Sequence, residues 1–284
     1  MRFSSKFRKL ARPSSRMMST SVLAVVVIAF ASPPGGATAT LVSRIASTVR
    51  LSPGLASVGA PQGTSFAGTP AVGALFTVSN GKLGSHFCTA SVVHSSRGDL
   101  LITAAHCVSG DSGQIAFVPG YADGNNPYGV WPVSRIFVDQ AWSSSGSIDD
   151  DVAFLQVSRN AAGAQIEAVT GAETLGLSQP AGQLTEVAGY PDGASEPVEC
   201  DNQTKTFNGT PTGVTELEFD CGGYPDGTSG SPFLVQVNKS TGTGTVTGVI
   251  GGYEQGGDSP SVSYSISFGK PVGALYQTAV SASS

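Results

Sequence analysis

Charged side chains are scarce in this sequence of 284 residues. Asp, Glu, Lys and Arg together make up only 12% of the chain, whereas glycine occurs 37 times and proline 17 times. Long surface helices need many Lys and Glu residues, so this composition argues against a mainly helical protein and favours a turn-rich, largely β chain. The sequence also has no repeat of about 20 to 50 residues, which argues against solenoids and propellers.

Acidic residues are absent from the first 59 positions, which carry eight basic residues. The remaining chain has seven basic and 20 acidic residues, which gives it a formal net charge of about −13. Proteins that bind nucleic acids need a basic surface to hold the phosphates. We therefore do not expect nucleic-acid binding.

No apolar run in the chain approaches the about 20 residues that span a bilayer. The most apolar run, Val22–Ala31, follows a basic stretch and precedes Ala37-Thr38-Ala39. The latter has the A-x-A pattern that signal peptidases cleave. We predict that residues 1–39 are a secretory signal peptide, with a membrane anchor as the alternative, and that the protein is secreted and extracellular.

The rest of the chain divides into an arm and two β-rich halves. Residues 40–69 are rich in small residues, Pro and Gly, which is typical of a linker, a short propeptide or an N-terminal arm. From Val72 onward, runs of Val, Ile, Phe and Thr alternate with turn residues and predict about a dozen strands. We place the two halves at residues 70–165 and 166–284, and we expect a helix only near the C-terminus.

Only three histidines occur in the chain, so each is a candidate for chemistry. His106 ends the run LLITAAHC, in which an apolar strand leads into small residues and a cysteine. A lone histidine in such a setting is more often a packing residue than a catalyst. We expect His86 and His94 to be surface or strand-edge residues.

Three consecutive acids, Asp149, Asp150 and Asp151, precede the apolar run VAFLQV. The last of them adjoins a strand that we expect to be buried, and a buried carboxylate needs partners that offset its lost hydration. Asp151 is therefore the acid for which we predict a histidine partner. We expect Asp149 and Asp150 to stay in water.

A turn-rich segment surrounds Ser229 and leads directly into an apolar strand. An ordinary Gly/Ser turn is one explanation. The other is a nucleophile loop, because Gly227 lets backbone amides converge and Gly230 leaves room for a substrate carbonyl. The amides of Gly227 and Ser229 would then form an oxyanion hole.

Four cysteines occur without a CxxC pair or a His-rich tract. In an exported chain, disulfides are a better explanation of them than a metal site. Three pairings are possible. The four residues are Cys88, Cys107, Cys200 and Cys221.

Three motifs follow one another in the order His, Asp, Ser. They are TAAHC (Thr103–Cys107), DVAFL (Asp151–Leu155) and GTSGSP (Gly227–Pro232). Together they resemble the chymotrypsin/trypsin-like serine proteases, in their secreted bacterial branch of glutamyl-endopeptidase-like or actinobacterial trypsin-like enzymes. The resemblance covers roughly residues 72–280. It implies an all-β fold of two six-stranded antiparallel β-barrels with a C-terminal helix.

The resemblance also implies an active site in the cleft between the barrels. His106, Asp151 and Ser229 would be the catalytic triad, with the amides of Gly227 and Ser229 as the oxyanion hole. The expected activity is that of a secreted serine endopeptidase that hydrolyses peptide bonds through an acyl-enzyme. It would act on polypeptides as a monomer, with no metal or organic cofactor and no membrane contact after signal cleavage. The alternative is a catalytically inactive homologue that binds proteins.

The disulfides and the substrate edge follow from the same resemblance. FCTASVV (Phe87–Val93) is similar to the strand whose cysteine bonds to the one after the catalytic histidine, which implies the pair Cys88–Cys107. We expect Cys200–Cys221 as the second pair. We also expect a substrate strand to pair along one backbone edge. The residues of that edge are Gly251, Gly252 and Tyr253.

Three departures from the family pattern concern activation and specificity. Thr228 stands where animal trypsin-like enzymes carry an aspartate that pairs with the freed N-terminus. The segment Gly248–Tyr253 has no histidine of the kind that glutamyl endopeptidases keep there, so the sequence does not support glutamate specificity. Asp220 is a candidate pocket carboxylate that would favour a basic residue, although an exposed or capping role is commoner.

Overall fold

The computed structural model describes residues 59–108 and 114–282. The predicted signal peptide and the first part of the 40–69 segment lie outside the described residues. None of the described helices is long and apolar enough to cross a membrane. The described strands are β1 (Thr64–Ser65), β2 (Val72–Ser79), β3 (Lys82–Val93), β4 (Leu100–Thr103), β5 (Ile115–Pro119), β6 (Trp131–Val138), β7 (Ala153–Val157), β8 (Thr174–Leu175), β9 (Leu184–Gly189), β10 (Val198–Gln203), β11 (Lys205–Phe207), β12 (Glu216–Asp220), β13 (Pro232–Asn238), β14 (Thr243–Val249) and β15 (Val262–Ile266). The α-helices are α1 (Gln140–Ser145), α2 (Ile166–Thr170) and α3 (Lys270–Ser281), and 3-10 turns cover Ala105–Val108, Ile148–Asp150 and Tyr253–Gly256.

The first half of the chain is a closed antiparallel barrel with the strand order β2-β3-β4-β7-β6-β5. Its central strands are buried on both faces: in β4, Leu101 packs into one core cluster and Leu100 and Ile102 pack into another. Closure pairs every strand edge, so the barrel is a rigid support for the residues at its strand ends. The predicted six-stranded first barrel is confirmed.

The second half is all-β, as predicted, but its strands form two sheets. One has the order β1-β10-β9-β13-β14-β8, and the other has the order β11-β12-β15. Strands β14 and β15 belong to different sheets, and a side-chain hydrogen bond joins them, in which the Ser265 hydroxyl accepts the Val249 amide at 2.9 Å. The Ser265 oxygen lies only 2.4 Å from where a side chain on Gly248 would begin, so the glycine is what admits it.

The described end of the predicted N-terminal arm belongs to the second half. Its strand β1 pairs antiparallel with β10. Nearby, Gly63 and Gly222 are joined by a backbone hydrogen bond of 2.8 Å from the Gly63 amide to the Gly222 carbonyl. The arm therefore extends the sheet of the second half along one edge.

Helix α3 confirms the predicted C-terminal helix. It packs against β7 of the first barrel, where Phe154 and Tyr276 meet edge to face with ring centroids 5.6 Å apart. Gln156 donates from its side-chain amide to the Ala279 carbonyl at 3.2 Å. The end of the chain thus returns from the second half and closes over the outside of the first barrel.

A buried glutamate joins the two halves on the side of α2. The backbone of Glu173 donates to the Val92 carbonyl and accepts from the His94 amide, each at 2.8 Å. Its side chain accepts the Gly244 amide of β14 through Oε2, while Oε1 has no hydrogen-bond partner among the described residues. Burial in this site raises the pKa of Glu173 to about 8. The neutral acid is therefore the form that fits the junction near neutral pH.

The raised pKa of Glu173 predicts a pH-dependent loss of stability. Because the folded-state pKa lies above the unfolded value, the stabilisation is complete below about pH 4.5 and is lost as the pH rises through about 8. Urea unfolding at pH 5 and at pH 8.5 measures how much the unfolding free energy falls between these pH values. The fall should be about 4 kcal/mol larger for the wild type than for Glu173→Gln. Equal decreases in the two proteins would contradict this assignment.

Candidate active site

His106 is held at the end of a rigid strand. The buried strand β4 leads into the 3-10 turn Ala105–Val108, and the next residue in that turn, Cys107, is disulfide-bonded to Cys88 of β3. The bond and the strand fix the backbone on both sides of the imidazole. The side chain of His106 remains 13% exposed, so its outer edge is open to the cleft.

Asp151 is the partner of His106, as the sequence predicts. Its side chain is only 1% exposed. Oδ1 accepts the backbone amide of His106 at 2.9 Å, and Oδ2 accepts His106 Nδ1 at 2.8 Å and the Gly252 amide at 2.9 Å. Since a carboxylate accepts hydrogen bonds, Nδ1 is the donor in this contact, and Nε2 is the ring nitrogen that Asp151 does not engage. Three N–H groups offset the cost of burying the charge.

Asp149 and Asp150 do not contact His106. Asp149 accepts a hydrogen bond from the Thr212 hydroxyl at 2.8 Å, and Asp150 accepts one from the Ser147 hydroxyl at 2.7 Å. Both acids are half-buried rather than fully hydrated, because hydroxyl groups of neighbouring turns cover them. The expectation that they stay in water is therefore only partly right.

The loop that carries Ser229 is pressed against the strand ends next to His106. Gly230 has φ +83°, and a side chain there would begin 2.2 Å from both the Thr103 hydroxyl and the Thr89 carbonyl. The Thr89 amide in turn donates to the Ser229 carbonyl at 2.8 Å. The Ser229 side chain is thereby placed beside the segment that ends in His106, and it is half-buried.

Gly227 supports the same loop from the other side. Its φ of +92° lies in the region that favours glycine, and a side chain there would begin 2.4 Å from the Asp192 amide. The buried Thr228 donates its hydroxyl to the Pro225 carbonyl at 2.7 Å. Thr228 therefore stabilises the turn through a neutral side chain, at the position where animal trypsin-like enzymes carry an aspartate.

Two backbone amides of this loop are unused. Among residues 59–108 and 114–282, the amides of Gly227 and Ser229 donate to no acceptor, whereas the amide of Thr228 between them bonds to Pro225. The free amide of a serine and the free amide two residues before it are the kind of donor pair that stabilises an oxyanion.

The Ser229 hydroxyl forms no hydrogen bond with His106 or with any other residue in the described part of the chain. Ligand-free catalytic hydrogen bonds are often long and tighten when substrate binds.

A pocket of about 560 Å³ opens beside Ser229. Its lining includes four acidic residues and, within the described chain, no Lys, Arg or His. Asp220 lies elsewhere, in the outer sheet, where it forms an ion pair with Lys205. Asp220 therefore does not line this pocket, and its partly exposed position agrees with the commoner of the two roles considered for it. The acidic lining residues are Asp192, Asp226, Glu254 and Asp258.

The predicted substrate edge borders this pocket, but its amides are occupied. Gly251 donates to the Tyr264 carbonyl at 3.0 Å, Gly252 donates to Asp151, and Tyr253 donates to both carboxylate oxygens of Glu216 at 3.1 Å. A substrate strand that paired here would use carbonyl oxygens of the edge. The carbonyl of Gly251 accepts no hydrogen bond from the described residues.

The sequence did not predict the burial of Glu216 or of His86. Glu216 is fully buried beneath Tyr253, and nothing in its local sequence indicated a role. His86, expected to be a surface or strand-edge residue, is only 6% exposed; it bonds through Nε2 to the Ala194 carbonyl at 3.1 Å and packs against Phe76. His94 is exposed and pairs with an acid, in keeping with its predicted surface position.

Both predicted disulfides are present. Cys88 bonds to Cys107, and Cys200 bonds to Cys221. The two sulfur atoms of the first pair and a ring nitrogen of His106 lie within 4.8 Å of one another, a spacing at which three side chains could hold a metal ion. Because the two sulfur atoms are bonded to each other, they are not thiolate ligands, and the cluster does not fit a metal ion.

Comparisons with known proteins agree on the fold. The protease Anisep from Arthrobacter nicotinovorans superposes with a TM-score of 0.66 at 23% identity, over 78% of this chain and 100% of that one. The thermostable serine protease AL20 from an extremophilic microorganism has a TM-score of 0.63 at 23% identity, over 76% and 99%. A Glu endopeptidase has a TM-score of 0.58 at 15% identity, over 79% and 99%.

Sequence comparison gives the family. No sequence among curated proteins matches the chain. The Trypsin family model matches residues 62–268, a segment that includes both halves of the fold and the loops described above. The chain therefore belongs to the trypsin family and is a serine endopeptidase.

Proposed function

We propose that the protein is a secreted endopeptidase in which Ser229, His106 and Asp151 form the catalytic triad. The observation that carries this proposal is the fixed pair in which Asp151 holds both the backbone amide and Nδ1 of His106. This contact leaves Nε2 as the only basic nitrogen of the ring. The loop with two unused amides lies beside it.

In the proposed reaction, Ser229 Oγ attacks the carbonyl carbon of the scissile peptide while His106 Nε2 takes the hydroxyl proton. The carbonyl oxygen becomes negative and is stabilised by the amides of Gly227 and Ser229. The carbon–nitrogen bond then breaks, and His106 gives its proton to the leaving amine. Water attacks the acyl-enzyme by the same path in reverse and releases the acid and free Ser229. Asp151 stabilises the charged imidazole in both steps.

Extracellular action is part of the proposal. Both cysteine pairs form disulfides, which persist in oxidising compartments and are rare in the cytosol. The predicted signal peptide at residues 1–39 supports the same location.

Labelling with an organophosphonate probe tests the nucleophile. We expect the probe to modify Ser229 of the purified protein and to abolish peptide hydrolysis, because only an activated serine attacks phosphorus at a useful rate. Mass spectrometry of the labelled peptide locates the adduct. Ser231→Ala is the matched control, since Ser231 lies in the same loop but is fully buried; it should still be labelled, and Ser229→Ala should not. A folded wild-type protein that is neither labelled nor active would instead favour the protein-binding homologue.

Substitution of the three consecutive acids tests the choice of Asp151. Asp151→Asn should lower kcat by about 10⁴-fold, because asparagine replaces one of the two acceptor oxygens with an NH2 group, and an NH2 group facing Nδ1 donates to it and favours the wrong tautomer of His106. Asp149→Asn and Asp150→Asn should change kcat by less than about tenfold, since neither acid contacts the ring. Steady-state kinetics of the three variants decide. A similar loss in all three would refute the assignment.

The charge of the pocket predicts the preferred side chain before the cleaved bond. Four carboxylates and, among the described residues, no cation line the pocket, so a Lys or Arg side chain should be favoured over Glu by at least about tenfold in kcat/KM at low salt. Otherwise identical peptides with Lys, Gln or Glu at this position provide the comparison. Because the acids are exposed, the Lys-to-Gln ratio should fall as salt is added. Preference for Glu would contradict this reading of the pocket.

A further inference from the structure

We infer that Glu216 is a positioning residue of the active site: its buried carboxylate clamps the Tyr253 amide and so holds both the Gly252 amide on Asp151 and the turn that walls the Ser229 pocket. This inference rests on the proposed function, and it assigns a role to a residue outside the triad and the oxyanion hole.

The clamp itself is a buried carboxylate closed on a single amide. Glu216 begins strand β12 and is 0% exposed. Both of its carboxylate oxygens lie 3.1 Å from the Tyr253 nitrogen. The backbone at Gly252 presses on the same group, because a side chain there would begin 2.7 Å from Glu216 Oε1 and 2.9 Å from Ile266. The backbone of Gly252 and Tyr253 is therefore packed closely against both the Glu216 carboxylate and Ile266 of β15.

Glu216 reaches the triad through one peptide unit. Gly252 donates to Asp151 Oδ2 at 2.9 Å, and Tyr253, the next residue, donates to Glu216. Two consecutive amides are thus held by two buried carboxylates that approach from different halves of the fold. Release of the Tyr253 amide would let Gly252 move and would remove one of the three hydrogen bonds that fix Asp151.

Glu216 also holds the wall of the pocket. After Tyr253, the backbone of Glu254 and Gln255 has φ values of +51° and +54°, which residues with a side chain seldom adopt. Such strained residues persist only where the surrounding structure holds them. Both line the pocket beside Ser229. The amide clamped by Glu216 is the anchor directly before this strained turn.

The charges around Glu216 make the clamp sensitive to pH. Asp149 and Asp151 repel its charge from the 3-10 turn before β7, and its register partners on the two neighbouring strands, Phe207 and Ile266, are apolar. Burial and this repulsion raise the pKa of Glu216 to about 7. An ionised carboxylate accepts a hydrogen bond more strongly than a neutral acid does, so the clamp is stronger above neutral pH.

Kinetics of Glu216→Gln and Glu216→Ala, normalised to active sites titrated with the phosphonate probe, test the inference. Per titrated site, we expect Glu216→Ala to lower kcat about tenfold and to raise KM several-fold, since both Asp151 and the pocket wall lose their anchor. Glu216→Gln keeps one acceptor oxygen and should be intermediate. Glu218→Gln is the matched control on the same strand and should stay within about twofold of the wild type, because Glu218 is only half-buried and faces Lys205.

The normalisation separates positioning from general stability. A residue that only stabilises the fold would reduce the fraction of titratable sites and leave kcat and KM per site unchanged, and that result would overturn the inference. If Glu216→Ala fails to fold, Glu216→Gln decides. A further readout is the ratio of wild-type to Glu216→Gln kcat/KM, which should rise between pH 6 and pH 8; a constant ratio would count against the clamp. Labelling of wild-type Ser229 tests the proposed function independently, so the two failures are distinguishable.

Discussion

The buried carboxylate of Asp151 is the contact on which the rest of the site depends. It takes two N–H groups from His106 of the first barrel and one from Gly252 of the second half. A charge this far from water is tolerable only while all three donors stay in place. The same bonds that offset its burial therefore align the two halves and fix the orientation of the imidazole.

Glycines let loops of the second half pack closely against the first barrel around Asp151. Gly230 allows the Ser229 loop to rest against Thr103 and Thr89, with no room for a side chain between them. Gly251 approaches Asp151 less closely, since a Cβ atom on it would lie 3.1 Å from Oδ2. The glycine-rich composition thus has a specific use at the cleft, since loops from the second half reach the strand ends of the first only where side chains are missing.

Local pattern together with the family resemblance predicted the parts of the site that lie next to regular strands. His106 and Asp151 each adjoin a buried apolar run, and the order of the motifs places Ser229 in the loop before β13. The pairing Cys88–Cys107 followed from the resemblance of the surrounding strand. These features can be predicted because each lies within a short motif of the chain.

The features that the sequence did not predict depend on distant partners. Glu216 is buried by a backbone segment 37 residues later, and the pocket acids converge from separate loops. The two sheets of the second half are joined by the Ser265 hydroxyl, which accepts the Val249 amide. His86 is buried because the loop around Ala194 covers it. None of these contacts has a local signature.

The most direct measurement is a crystal structure of the protein after reaction with a phosphonate inhibitor. The account predicts phosphorus bonded to Ser229 Oγ, the phosphonyl oxygen within hydrogen-bond distance of the Gly227 and Ser229 amides, and His106 still bound to Asp151 through Nδ1. An adduct on another residue, or a phosphonyl oxygen directed away from both amides, would contradict it.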